Sequence, residues 1–165
     1  MRRKRLLFFT VVLAFAGGCD HATKQIAREA LDGAPIISLV GDTVRLQLTR
    51  NPGGFLSLGA NLPPELRRVL FLGFAPLALF AVGWLVLRTG PASLASLLAL
   101  GMIVGGGLAN WGERILNDGA VTDFVSLGLG PLRTGIFNLA DVYVMAGVAI
   151  LLFTGFGEAP AEDAA

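Results

Sequence analysis

Two aspartates stand where a lipid-facing chain tolerates few charges: Asp123 in Val-Thr-Asp-Phe-Val, and Asp141 in Phe-Asn-Leu-Ala-Asp at the start of the last long apolar run. An ionisable side chain at the edge of a membrane span is a functional candidate by default. The two lie on either side of a short Gly/Pro turn, so they can converge at a helix mouth and share one proton, an arrangement suited to acid/base hydrolysis. Taken residue by residue, the alternative is a loop aspartate at 123 and, at 141, a helix N-terminal residue favoured by the dipole.

The elements that must position them are read from apolar runs. Of 165 residues, 54% are hydrophobic and 15% charged, and the mean hydropathy is +0.69, which marks an integral membrane protein. The runs predict spans at about 6–26, 69–87, 92–110 and 136–156, each near the ~20 residues a crossing needs. The first must continue past Cys19 through Asp20 and Lys24, which sit four apart on one helix face and can pair structurally. The cluster Arg2–Arg5 favours a cytoplasmic start, so four spans leave both termini cytoplasmic, although Arg67 and Arg68 then lie outside. Residues 1–157 form one domain, and 158–165 an acidic disordered tail.

Between the first two spans the period changes. Val44, Leu46 and Leu48 alternate with Arg45, Gln47 and Thr49, and Gly41-Asp42 suits a hairpin turn after Ile36–Val40. Val121–Val125 is a further strand candidate, and Pro63-Pro64-Glu65 suits a short helix start. The expected fold is therefore all-α, four transmembrane helices with a small external β-rich cradle over the helix mouths. A net charge of +1 gives no reason to expect nucleic acid, and one cysteine with one histidine implies neither a disulfide nor a metal. Gly101, Gly105, Gly106 and Gly107 lie inside an apolar span without a following lysine, so they read as close helix packing and not as a phosphate loop.

Five blocks in order resemble the motifs of lipoprotein signal peptidase (signal peptidase II): Asp20-His21-Ala22-Thr23-Lys24; Asn51-Pro52-Gly53 with Phe55; Gly106-Gly107 with Asn110 and Glu113-Arg114; Val121-Thr122-Asp123-Phe124-Val125; and Phe137-Asn138-Leu139-Ala140-Asp141. The resemblance implies a multi-pass aspartic endopeptidase of the bacterial inner membrane. It would cut diacylglyceryl-modified prolipoproteins before the lipidated cysteine, as a monomer in the bilayer and without a cofactor. Asp123 and Asp141 would be the catalytic dyad. Asn110 and Asn138 would hold the carboxylates, Arg114 would contact substrate carbonyls, and Asn51 and Gly53 would place a loop over the dyad. Asp20, Lys24 and Glu113 would be structural.

Two positions depart from the family pattern. Glu113 stands where Asp is usual, so Glu113→Asp is expected to be tolerated, and the small-residue pair before Phe55 is reduced to Gly54. Rival readings are a transporter or proton-relay subunit, and a non-catalytic homologue. A third rests on Ala16-Gly17-Gly18-Cys19 after a basic, apolar start, which looks like a lipobox and would make the chain a substrate.

Overall fold

The computed structural model describes residues 2–89 and 93–154. Helix α1 (Arg2–Leu31) leads to strands β1 (Ile37–Leu39) and β2 (Val44–Asn51). A loop follows, then α2 (Pro64–Arg68), a π-helical stretch (Val69–Phe74), α3 (Ala75–Thr89), α4 (Leu94–Leu116), β3 (Val121–Leu129), β4 (Leu132–Arg133) and α5 (Leu139–Thr154). Arg3–Leu31, Pro64–Arg88 and Leu94–Leu116 are long and apolar enough to cross a membrane, while Leu139–Thr154 is a shorter apolar helix. The acidic tail expected at 158–165 and the end of the fourth predicted span lie outside the described residues.

The helices run beyond their apolar cores. α1 is continuous for 30 residues, so Cys19 and Asp20 lie in mid-helix. The second predicted span starts earlier, because Pro64 opens a helix whose backbone continues through the π-helical stretch into α3. The fourth starts later. Phe137 is bridged to Val125 as extended chain, and only from Leu139 does the backbone turn helical.

Glycine lets α4 sit between three neighbours. A Cβ at Gly105 would lie 2.8 Å from the Leu13 carbonyl oxygen of α1, at Gly106 2.6 Å from the Ala140 carbonyl oxygen of α5, and at Gly107 2.6 Å from Leu79 of α3. Backbones can approach this closely only where no side chain intervenes. Phe9, Val86, Leu97 and Val104 fill the small core beside this contact. Phe74, Leu77, Trp84 and Phe153 instead turn outward, as suits helices surrounded by lipid.

The four strands form one antiparallel sheet in the order β1-β2-β3-β4. The β1–β2 turn carries positive φ at Val40, Gly41 and Asp42. Its shape is held by Asp42, whose carboxylate accepts from Ser38 Oγ and Arg45 Nε, each at 2.7 Å. The Arg45 guanidinium keeps that carboxyl well below the usual range. β3 reaches further than expected, to Leu129, and turns back at Gly130-Pro131 into β4.

Candidate active site

β3 and the start of α5 meet through one residue's backbone. The Phe137 carbonyl accepts from both Phe124 N and Val125 N at 3.0 Å, and Phe137 N donates to Val125 O at 2.9 Å. The pairing places Asp123, which is 0% exposed, against the N-terminus of α5. There Asn138 caps the helix: Asp141 N donates to Asn138 Oδ1 at 3.0 Å, and Asn138 N returns a bond to Asp141 Oδ2 at 3.2 Å. This is the reciprocal geometry of a capping box, with an Asn-x-x-Asp pair in place of the usual Ser-x-x-Glu.

The same Asn138 joins the two carboxylates, since its Nδ2 donates to Asp123 Oδ1 at 2.6 Å. Asn110 mirrors it from α4, donating from Nδ2 to Asp141 Oδ1 at 3.0 Å. Asn110 Oδ1 accepts from Asn138 Nδ2 at 3.2 Å and from Lys24 Nζ at 2.7 Å. On the strand side, β2 pairs Thr49 with Asp123, and Asn51 Nδ2 donates to Asp123 Oδ2 at 2.7 Å. Burial is the main cause that pushes the Asp123 carboxyl up to about 6. The Asn51 and Asn138 bonds oppose the rise, and the negative charge of Asp141 adds to it.

The loop after β2 is folded back over this pair. Asn51 accepts from Gly53 N at 2.8 Å and donates to Gly54 O at 2.9 Å. A Cβ at Gly53 would come within 2.7 Å of the Leu58 carbonyl oxygen, so only glycine fits the crossing. Arg114 anchors the loop from α4, donating to the Gly53 carbonyl and, at 3.3 Å, to Asn110 O. Its guanidinium lies 5.2 Å from the centre of the Phe71 ring. Arg114 Nε is buried and has no hydrogen-bond partner among the described residues.

Beneath the dyad, the Lys24 ammonium donates to Asn110 Oδ1 at 2.7 Å and pairs by charge with Asp20 Oδ2 at 2.7 Å and Glu113 Oε2 at 2.8 Å. Asp20 Oδ1 accepts from Ala140 N at 2.8 Å, satisfying another free donor of the α5 N-terminus. All ten residues singled out in the sequence therefore meet in one network around the helix mouths. Reading along the chain passed over Arg28 and Asn117, which both donate to Glu113 Oε1; the position of Arg28 four residues after Lys24, on the same helix face, was the available signal.

Residues 10–156 match the family model described as signal peptidase (SPase) II. The chain is similar to the lipoprotein signal peptidase of Rhodococcus jostii, with 32% identity over 159 residues covering 91% of this chain and 72% of that protein. It is 28% identical to the one from Streptomyces griseus, over 93% of this chain and 76% of the relative. Over 61% of this chain and 59% of the relative, it is 43% identical to the one from a Methylobacterium species. Its fold is similar to a solved bacterial membrane enzyme, with TM-score 0.74 and 20% identity over 88% of this chain and 85% of the other.

Proposed function

We propose, from the premise that this chain belongs to the signal peptidase II family, that it cleaves by an aspartic mechanism in which Asp123 and Asp141 share one proton. The chain is a multi-pass bacterial membrane protease that removes signal peptides from prolipoproteins. The substrates we assign carry a diacylglyceryl cysteine, with the cut falling on the peptide bond before it. A transporter or scaffold role is not favoured.

The observation that carries the mechanism is the Asn138 bridge, which holds one oxygen of each carboxylate through a single capping residue. Two carboxylates tied together out of water resist double ionisation, so the pair keeps a proton. The ionised member takes a proton from a water molecule as its oxygen attacks the scissile carbonyl. The protonated member donates to the carbonyl oxygen as charge develops there. Collapse of the tetrahedral intermediate breaks the C–N bond, and the proton taken from water passes to the leaving amine. Asn110 and Asn138 keep the carboxylates aimed. Arg114 Nε, which has no hydrogen-bond partner among the described residues, supplies a donor for a substrate backbone carbonyl, beside the loop that Asn51 and Gly53 fold over the dyad.

Proton retention has a thermodynamic signature. Asp123 binds its proton up to about pH 6 in the fold, against the ordinary 3.8, so its contribution to stability is fully present below 3.8 and is lost as pH rises through 6. Between about pH 4 and about pH 7 the wild type should lose up to ~3 kcal/mol relative to Asp123→Asn. Melting of both proteins in detergent across that range measures this. A wild-type-minus-variant difference that stays flat with pH would remove the shared proton from the account.

A further inference from the structure

We propose that Arg28 and Glu113 form a clasp that sets the position of Asp123, which makes both of them positioning residues for the hydrolysis; the inference rests on the assignment of Asp123 to the dyad. Thr122, the residue before Asp123, is held by both. Its backbone N donates to Glu113 Oε1 at 3.0 Å and its hydroxyl to the same oxygen at 2.6 Å. The hydroxyl oxygen in turn accepts from Arg28 Nε at 3.1 Å and Nη2 at 2.8 Å, and Arg28 Nη2 closes the ring on Glu113 Oε1. The Thr122 hydroxyl thus has its proton and its lone pairs engaged.

The arrangement ties three elements to one point. Arg28 comes from α1, Glu113 from α4 and Thr122 from β3, while Asn117 Nδ2 also donates to Glu113 Oε1, at 3.1 Å. The second Glu113 oxygen is taken by Lys24 at 2.8 Å, the cation that also orients Asn110 against Asp141. One carboxylate therefore references both halves of the dyad to the same place, Asp123 through Thr122 and Asp141 through Lys24 and Asn110. The length of the glutamate is used: removing one methylene shortens its reach by roughly 1.5 Å, enough to serve Lys24 or Thr122 but not both. These contacts reverse the tolerance of Glu113→Asp expected from the family pattern.

The clasp touches neither water nor scissile bond, so its loss falls on turnover and spares binding. In Arg28→Gln, kcat should fall about tenfold or more, since displacements of the order of 1 Å cost up to about a hundredfold, while KM stays within about threefold. Arg28→Lys keeps a cation within reach of Glu113 and Thr122 and should give a kcat between wild type and Arg28→Gln. Glu113→Asp should fall to the level of Arg28→Gln. The double variant should be no slower than the slower single one, because the two act through one contact. The Arg28 side chain is 33% exposed, so Arg28→Gln leaves no buried cavity, and Glu113→Asp carries the test independently. Wild-type kcat in Arg28→Gln or in Glu113→Asp, or losses that multiply in the double variant, overturn the clasp. Asp123→Asn in the same series separates the two claims: turnover there overturns the dyad and the clasp together, whereas an inactive Asp123→Asn beside a fully active Arg28→Gln overturns the clasp alone.

Discussion

Asp123→Asn and Asp141→Asn each lower kcat by about 10³-fold or more, the scale expected when one group of an acid/base pair is lost, while the protein still accumulates in the membrane. An amide neither ionises near neutral pH nor carries the shared proton. Both changes set donor against donor: Asp141 Oδ1 accepts from Asn110 Nδ2 at 3.0 Å and Oδ2 from Asn138 N at 3.2 Å, so the new NH2 group of Asp141→Asn confronts one of them. Asp123 faces two amide donors, Asn51 Nδ2 and Asn138 Nδ2, so a new NH2 group confronts one of them. That adds a pH-independent stability cost of about 1–3 kcal/mol, the penalty of one buried unsatisfied polar group. Turnover is therefore compared alongside a melt, and a folded variant retaining turnover within about tenfold of wild type would not belong to a catalytic dyad.

Lys24→Met acts on the fold beneath the dyad and has the second-largest effect. Met matches the length of the lysine stem but leaves Asp20 and Glu113 buried without the cation they share; Lys24 itself is 2% exposed. Removing one partner of such a network costs about 3–5 kcal/mol, enough to deplete the folded protein in a marginal domain. The expected result is a sharply lower melting temperature in detergent and reduced accumulation. Adding Asp20→Asn should recover part of the loss, since Asp20 is the charge left with no cation, whereas Glu113 keeps Arg28. An unchanged melt for Lys24→Met would mean that Asp20 does not depend on the Lys24 charge.

What the chain discloses unaided divides by range. The alternation through Val44–Thr49 marked β2, the Gly41-Asp42 pair marked its hairpin, and the apolar runs marked four helices within a few residues. The two aspartates stood out because membrane segments exclude charge. Contacts that depend on distant backbone did not announce themselves. Phe137 sits in an apolar run that reads as helix, yet its N–H and C=O are claimed by β3, so α5 cannot begin before Leu139. β4 has two residues, too few for a periodic signal. Lys24 was legible as a partner of Asp20 through their i, i+4 spacing. Its bonds to Glu113 and Asn110 span the whole distance between α1 and α4 in sequence, and no local pattern encodes them. Glu113 reads in the sequence as a small departure from a motif, because its partners Arg28 and Thr122 come from α1 and β3.

The central claim is that this chain cuts lipid-modified precursors at one bond with Asp123 and Asp141. Its most direct test is the mass of the products formed when the purified protein meets a prolipoprotein peptide carrying a diacylglyceryl cysteine, set beside the same peptide unmodified and beside Asp141→Asn. The account predicts two fragments from the modified peptide, the downstream one beginning at the lipidated cysteine. It predicts no cleavage of the unmodified peptide and none by the variant. Cleavage at another bond, equal cleavage of the unmodified peptide, or intact activity in Asp141→Asn would contradict it.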